Sequence, residues 1–201
     1  MSQYFDPAPA AASRPRQVEL TLRDLRRTVA LATDSGVFSG DRIDSGTRLL
    51  VDHGPAVPAA GDLLDLGCGY GPLAVALALR SPRARVWAVD VNERALSLCA
   101  ENAAALGLAP GRLRACTPDQ VPDGLRFATV WSNPPIRIGG AALHELLLAW
   151  LGRLDEGGRA ALVVQKHLGA DSLAAWLAEQ GFEVRRLRAK QGYRILGIER
   201  G

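Results

Sequence analysis

Asp65-Leu66-Gly67-Cys68-Gly69-Tyr70-Gly71-Pro72 follows an apolar strand pattern and opens an apolar, helix-periodic segment. Glycines let the backbone turn tightly and approach a ligand closely, and Pro72 suits the first turn of a helix. A strand, a glycine-rich turn and a helix in this order are typical of a nucleotide-type pocket in an α/β protein. The turn therefore predicts where a cofactor binds.

The spacing of the glycines distinguishes between cofactors. A dinucleotide fingerprint has the form GxGxxG and holds a pyrophosphate at the helix N-terminus. Here the third glycine comes one residue early, and an acid, Asp65, stands directly before the turn. S-adenosylmethionine has no pyrophosphate but carries an α-amino group and a sulfonium, so an acidic residue suits it electrostatically. The turn favours S-adenosylmethionine over NAD.

Strand and helix patterns alternate after the turn, which predicts an α/β fold with a parallel sheet and helices on both faces. Before the turn, alternating segments at residues 18–22 and 28–32 predict a β-hairpin, and a short helix is expected at residues 47–52. We predict strands at residues 63–66, 86–90, 113–116, 127–132, 160–164, 183–187 and 193–199. We predict the intervening helices at residues 73–80, 93–106, 142–151 and 172–180.

The composition is that of a folded chain with one core. With 201 residues and 48% hydrophobic content, the chain is long enough for one substantial domain and short for two. We predict a flexible N-terminal segment at residues 1–16 and a single domain at residues 17–201. No stretch is long enough to span a membrane, so we expect the protein in the cytoplasm. Neither the three cysteines nor the three histidines have metal-ligand spacing, and no metal site is expected.

The charge distribution permits nucleic-acid binding without requiring it. The net charge is only +3, and a run of basic residues is as often a solvated face as a phosphate-binding surface. Basic residues crowd both ends of the chain: Arg14, Arg16, Arg23, Arg26 and Arg27 near the start, and Arg185, Arg186, Arg188, Lys190 and Arg194 near the end.

Two acids that follow later strands are candidates for binding the rest of the cofactor. Asp90 ends the strand after the glycine turn, where a carboxylate can accept hydrogen bonds from both ribose hydroxyls. Asp119 lies in the loop after the third strand and could contact the adenine amino group. An aspartate in a Pro-flanked loop is often only a turn residue, so both interpretations of Asp119 stay open.

Asn133-Pro134-Pro135-Ile136 ends the fourth strand, which should neighbour the strand that carries Asp65, at the edge where ligands bind. An exocyclic base amine is a poor nucleophile because its lone pair is delocalised into the ring. If the Asn133 side-chain oxygen and the Pro134 carbonyl accept its two N–H bonds, the lone pair can turn toward the sulfonium methyl. The motif therefore predicts methyl transfer to a planar amine, and Arg137, directly after it, is the candidate for substrate binding.

The chain resembles the class I methyltransferases of the small-domain family, whose best-known members are RsmC-type enzymes that methylate guanine N2 in small-subunit ribosomal RNA. The motifs that carry the resemblance extend over nearly the whole chain: Tyr4-Phe5, Thr33-Asp34-Ser35-Gly36-Val37-Phe38-Ser39, Arg42-Ile43-Asp44-Ser45-Gly46-Thr47, the glycine turn, Asn133-Pro134-Pro135-Ile136-Arg137, Leu143-His144-Glu145, Gln165-Lys166 and Gly192-Tyr193-Arg194-Ile195-Leu196. The chain departs from residues common in the family at Gly140 and Ala128, where Lys and Asp are frequent.

The resemblance implies a Rossmann-like, seven-stranded and mostly parallel sheet whose last strand runs antiparallel between its neighbours. It implies an S-adenosylmethionine-dependent N-methyltransferase acting on guanine N2 of 16S rRNA, with RNA or the assembled small subunit as partner. The implied catalytic residues are Asn133, Pro134, Pro135 and Ile136. The residues expected to bind S-adenosylmethionine, from the motifs and the resemblance together, are Phe38, Thr47, Asp65, Gly67, Cys68, Gly69, Gly71, Asp90, Val91, Asp119 and Asn133.

Two other functions stay open. An adenine-N6 or protein-glutamine methyltransferase could use the same Asn-Pro-Pro turn, but such families usually place an aromatic residue after the prolines to stack on the substrate. Ile136 cannot stack in that way, which favours guanine N2. The other alternative is a protein that holds S-adenosylmethionine or RNA without catalysis, which the intact Asn133, Pro134 and Pro135 disfavour.

Overall fold

The structure, a computed structural model, describes residues 12–201. Tyr4-Phe5 and most of the segment predicted to be flexible lie outside the described residues, and residues 12–15 precede the first strand. The elements in chain order are β1 (Arg16–Leu22), β2 (Arg27–Thr33), α1 (Ser45–His53), β3 (Ala60–Leu66), α2 (Pro72–Arg80), β4 (Arg83–Val89), α3 (Glu93–Ala105), β5 (Leu113–Cys116), β6 (Phe127–Ser132), α4 (Gly140–Leu151), β7 (Leu154–Gln165), α5 (Ala170–Glu179), β8 (Phe182–Lys190) and β9 (Tyr193–Arg200).

Within residues 12–201, seven strands form the main sheet in the order β5-β4-β3-β6-β7-β9-β8. Strands β3 to β7 pair in parallel, and β9 is antiparallel to both β7 and β8. This confirms the predicted fold class, including the antiparallel last strand between its neighbours. Strands β3 and β6 are adjacent, with Asp65 opposite Trp131 and Leu66 opposite Ser132. The Asn133 motif therefore leaves the sheet beside the glycine turn.

Two apolar layers cover the two faces of the sheet. Leu63 packs into the layer formed with α1, α2, α3 and the hairpin, and Leu64 packs into the layer formed with α4 and α5. Successive side chains of a strand point to opposite faces, so Asp65 projects to the same face as Leu63, toward α2. This arrangement confirms helices on both faces and directs Asp65 to the helix that the glycine turn opens.

The hairpin of β1 and β2 is tied to the glycine turn by one buried side chain. Asn102 on α3 accepts from the Ala32 N–H at 2.7 Å and donates to the Ala32 carbonyl at 2.9 Å. Its Nδ2 also donates to the Tyr70 carbonyl at 2.9 Å. Because every polar atom of this buried amide is bonded, Asn102 links the hairpin, α3 and the glycine turn at no cost in unpaired groups.

Several strands are longer than their sequence pattern predicts, β7 and β8 by the most residues. β7 begins at Leu154 rather than residue 160, because the polar residues 155–159 hide the apolar alternation and the ladder with β6 shifts register there. β8 continues to Lys190 rather than residue 187. It is the edge strand of the sheet and its last residues are exposed, so no buried face imposes an apolar pattern on them. Within the described residues, no helix is both long enough and apolar enough to cross a membrane.

Candidate active site

A cavity of about 700 Å³ lies at the carboxyl ends of β3, β4, β6 and β7. Ligands bind at this edge in open α/β sheets. The glycine turn and the Asn-Pro-Pro-Ile motif both contribute to its wall, so the two halves of the predicted site share one space. The predicted site residues that line it are Phe38, Thr47, Asp65, Gly67, Cys68, Gly69, Asp90, Val91, Asn133, Pro134, Pro135, Ile136 and Arg137.

Two predicted cofactor residues are not part of this lining. Asp119 is exposed in a 3-10 turn after β5, where its neighbour Pro118 lines the cavity instead. Gly71 caps α2 with φ of 95°, and a Cβ there would lie 2.5 Å from the Cys99 Sγ. Its backbone conformation and its close approach to α3 account for Gly71 without a ligand contact. The contact of Asp119 with adenine stays a prediction.

The glycine turn is attached to the end of β4 by backbone and side-chain hydrogen bonds. The N–H groups of Gly67 and Cys68 donate to the Val89 carbonyl at 2.8 and 3.0 Å. The Gly69 N–H donates to Asp90 Oδ2 at 2.8 Å. Asp90 therefore shapes the turn as well as facing the cavity.

Asp90 keeps acceptor capacity beyond its bonds to the chain. Its Oδ1 accepts from the Asn92 N–H at 3.0 Å, and each carboxylate oxygen can accept a further hydrogen bond. Burial raises the pKa of Asp90, although the backbone hydrogen bonds oppose the rise. A donor pair such as two ribose hydroxyls would stabilise the ionised form that burial disfavours.

Asp65 is fully buried, and only one of its two carboxyl oxygens has a hydrogen-bond partner among the described residues. Its Oδ2 accepts from the Ala74 N–H at 2.8 Å, whereas its Oδ1 has no hydrogen-bond partner among the described residues. Burial raises the pKa of Asp65 to about 8, against the Ala74 hydrogen bond and with a contribution from Asp90. An unpaired buried oxygen is costly, so this cavity wall suits a cationic donor such as an α-amino group.

The loop between β2 and α1 covers one side of the cavity and is fastened to α3. Asn92 Nδ2 donates to the Gly36 carbonyl at 3.0 Å, and Arg94 Nη1 donates to the Ser35 carbonyl at 2.9 Å. Phe38, on the same loop, lines the cavity with 49% of its surface exposed. The Phe38 ring, at the rim of the cavity, can therefore cover a ligand bound inside it.

Asn133 presents one end of its side-chain amide to the protein. Its Nδ2 donates to Asp44 Oδ2 at 2.8 Å and to Thr47 Oγ1 at 3.1 Å. Both amide hydrogens are thereby used, and no group among residues 12–201 donates to Asn133 Oδ1. The cavity lining at this position therefore offers a hydrogen-bond acceptor.

The two prolines bend the chain tightly after Asn133. The Ile136 N–H donates to the Pro134 carbonyl at 2.8 Å, and Pro135 between them has φ −75° and ψ 70°. These angles define an inverse γ-turn. The bond uses one lone pair of the Pro134 carbonyl and leaves the second for a ligand. A Cβ on Gly67 would lie 4.0 Å from the Asn133 carbonyl and Pro135 Cδ, so the motifs nearly touch.

Further lining residues were given no individual role from the sequence. Gln165 ends β7 opposite Tyr193 of β9, and its Nε2 donates to the Tyr193 Oη at 2.5 Å. Both line the cavity together with Asp44 and Tyr70. A polar residue that ends an apolar strand is a signal that could have identified Gln165. An aspartate directly before a helix start is the corresponding signal for Asp44.

Comparisons with known proteins place these features in a family. A family model described as the methyltransferase small domain matches residues 28–197. The protein named Uncharacterized protein YbxB of Bacillus subtilis is 34% identical over 96% of this chain and 96% of its own length. Ribosomal RNA small subunit methyltransferase C of Pseudomonas fluorescens is 35% identical, over 78% of this chain and 49% of that protein.

A solved structure shares the architecture. The T. thermophilus 16S rRNA N2 methyltransferase RsmC, in complex with AdoMet and guanosine, superposes with a TM-score of 0.77 at 25% identity. The match covers 96% of this chain and 52% of that one. The chain therefore spans about half the length of the small-subunit methyltransferases that it matches.

Proposed function

The chain belongs to the methyltransferase small domain family, and from this premise we propose that it methylates an exocyclic base amine, guanine N2 of small-subunit ribosomal RNA. The observation that supports this most directly is that one cavity holds both the glycine turn and the Asn-Pro-Pro-Ile motif. The first can hold a methyl donor and the second an amine. β3 and β6 are neighbouring parallel strands, so the two motifs leave the sheet side by side, which is the arrangement that direct methyl transfer requires.

The cavity fits S-adenosylmethionine as the donor. Asp65 Oδ1, which is buried and unpaired, suits the α-amino group, and Asp90 suits the ribose hydroxyls. Phe38 and Thr47 enclose the ligand from the side of the β2–α1 loop. When bound, S-adenosylmethionine supplies an electrophilic methyl on a sulfonium: the amine lone pair forms the new N–C bond as the S–C bond breaks, leaving a neutral thioether and a proton for water.

The acceptor side of the cavity orients the amine. Asn133 Oδ1 and the free lone pair of the Pro134 carbonyl accept its two N–H bonds, which holds the nitrogen with its lone pair out of the ring plane. The prolines fix the direction of the carbonyl because the γ-turn is rigid. These oriented dipoles are in place before the reaction, so positioning and preorganisation account for the rate.

Two observations favour guanine over adenine. Ile136 stands where a stacking aromatic residue would suit adenine or glutamine substrates. The T. thermophilus 16S rRNA N2 methyltransferase RsmC, whose structure contains guanosine, supports the same base.

RNA as the acceptor molecule is supported by exposed cations beside the cavity, which we name the basic rim. Arg137 lines the cavity after β6, and Lys166 follows β7 with its N–H bonded to the Gly192 carbonyl at 2.7 Å. Arg188 and Lys190 end β8, which runs parallel to β7 and so reaches the same edge of the sheet. All four side chains are exposed, and such residues contact phosphates.

The salt dependence of RNA binding tests the basic rim. The affinity for RNA falls as the salt concentration rises, and each lost phosphate contact should reduce the steepness of log affinity against log salt by about 0.7 to 0.9. Replacing Arg137, Lys166, Arg188 and Lys190 by Gln should therefore flatten the slope by roughly 3. The control replaces four exposed arginines at the amino ends of the parallel strands, away from the cavity, by Gln: Arg23, Arg26, Arg27 and Arg83. The hairpin turn lies at that end of the sheet because Asp24 bonds Arg80 at the end of α2. Equal effects of both variants would contradict the assignment.

Analysis of the methylated product tests the chemistry itself. Labelled methyl from S-adenosylmethionine should enter small-subunit RNA, and digestion to nucleosides should yield N2-methylguanosine. N6-methyladenosine would establish the adenine alternative, and label in protein would establish a protein acceptor. Tight cofactor binding with no transfer to naked RNA or assembled subunits would favour the non-catalytic binding module.

A further inference from the structure

We propose that Asp44 is a positioning residue for methyl transfer, because it holds the Asn133 amide with Oδ1, and not Nδ2, toward the target amine. This inference rests on the proposed function of Asn133 as an acceptor for that amine. Asp44 belongs neither to the glycine turn nor to the Asn-Pro-Pro-Ile motif. It lies 89 residues before Asn133 in the sequence.

An asparagine amide has two ends of similar shape and opposite hydrogen-bonding character. If Nδ2 faced the cavity, it would present N–H donors to the N–H donors of a base amine. The Thr47 hydroxyl, 3.1 Å from Nδ2, can donate or accept and therefore does not select an orientation. Asp44 Oδ2 accepts from two backbone N–H groups, and a carboxylate oxygen cannot donate, so the amide end 2.8 Å from it is the nitrogen.

The carboxylate of Asp44 is itself held in place. It caps α1, with Oδ2 accepting from the N–H groups of Gly46 at 2.8 Å and Thr47 at 3.1 Å. The Asp44 carbonyl accepts the first helical bond, from the Arg48 N–H at 2.8 Å. A Cβ on Gly46 would lie 3.0 Å from Asp44 Oδ2 and 2.8 Å from the Tyr193 ring, so the carboxylate is closely packed. The start of α1 thus sets the orientation of a side chain at the end of β6.

Capping and positioning make different demands on the residue. Ser, Thr and Asn cap helices about as well as Asp. The Ser side chain is too short to reach Asn133 while capping, so Asp44→Ser keeps the cap and removes the positioning contact. In Asp44→Asn the side-chain oxygen, held by the same two backbone N–H groups, can still accept from Asn133 Nδ2. These two variants therefore separate the two roles.

Single-turnover methyl transfer with saturating cofactor gives the kinetic test. Asp44→Ser should slow transfer on the order of tenfold or more, as for loss of a preorganised polar group, with an unchanged urea unfolding midpoint. Asp44→Asn should restore most of the rate. Adding Asp44→Ser to Asn133→Ala should cause no further loss, because Asp44 acts through Asn133. A normal rate for Asp44→Ser, or a further loss in the double variant, would overturn the inference.

Hydrogen exchange of the Asn133 side-chain amide gives a second test that needs neither RNA nor cofactor. Its NMR signals, identified by their loss in Asn133→Ala, should exchange on the order of tenfold faster in Asp44→Ser and at the wild-type rate in Asp44→Asn. Unchanged exchange in Asp44→Ser would refute the contact. If the wild-type protein methylated no RNA, the proposed function would fail, and exchange would still decide whether Asp44 sets the amide.

Discussion

Replacing Asp65 by Asn should remove a large pH dependence from the stability of the protein. Burial raises the pKa of this carboxyl to about 8 in the folded protein, against about 3.9 for an aspartate in an unfolded chain. The folded state therefore binds the proton more tightly than the unfolded state. The contribution to stability is fully present below pH 4 and is lost as the pH rises through about 8.

The size of the effect follows from the shift. At about 1.4 kcal/mol for each pH unit above the unfolded pKa, the proton that folded Asp65 retains and unfolded Asp65 releases lowers the free energy of unfolding at pH 7 by at most about 4 kcal/mol. Asn has the shape of the protonated acid, and its oxygen can still accept from the Ala74 N–H. The variant should therefore gain stability relative to the wild type as the pH rises.

Urea unfolding at pH 5, 6, 7 and 8 measures this difference. A matched control is Asp62→Asn on the same strand. There burial raises the pKa of Asp62, but hydrogen bonds from Arg85 and Trp87 outweigh it and lower the pKa overall. Its stabilisation is lost only as the pH falls through that lowered pKa, so the control difference should be constant over this range. A constant difference for Asp65→Asn would refute the buried, proton-binding carboxyl.

The same carboxyl should couple cofactor binding to protons. If the α-amino group pairs with Asp65, binding ionises the acid, and the affinity for S-adenosylmethionine should rise between pH 6 and pH 8 in the wild type. Asp65→Asn should bind more weakly and without this rise. Calorimetry in two buffers of different ionisation enthalpy would detect the released proton, and its absence would remove Asp65 from contact with the amino group.

Substitutions at three further positions test other parts of the structure. Asp90→Ala should weaken S-adenosylmethionine binding by about 1.5 to 3 kcal/mol for the charge-assisted hydrogen bonds lost, and an unchanged calorimetric affinity in a folded variant would exclude that role. Asn133→Ala should slow single-turnover transfer on the order of a hundredfold with little change in cofactor affinity, and Asn133→Asp should also be slow because its charge favours the sulfonium ground state. Gly71→Ala should unfold at lower urea than Gly124→Ala: both glycines have positive φ, but only at Gly71 would the Cβ meet Cys99, at 2.5 Å, and equal midpoints would contradict this packing.

The local parts of the site were predictable from the sequence alone. The strand, glycine turn and helix around Gly67 follow from backbone freedom and apolar periodicity, which act between residues close in the chain. The bounds of β5 and β6 agree with the predicted ones for the same reason. Two features of the strand arrangement were also expected: the strand of the Asn133 motif neighbours the strand that carries Asp65, and, through the family resemblance, the last strand runs antiparallel between its neighbours.

Which polar atoms are paired could not be predicted from the sequence, because the partners come together only in the folded protein. Asn133 and its partner Asp44 are 89 residues apart, and no local pattern indicates which end of the amide faces the cavity. Likewise, the sequence shows an acid at Asp65 but not that one oxygen is bonded to Ala74 and the other is left unpaired. Burial sets the pKa of Asp65, and the direction of the hydrogen bonds sets which atom of the Asn133 amide faces the cavity. Both depend on groups that are distant in the sequence and that only folding brings together.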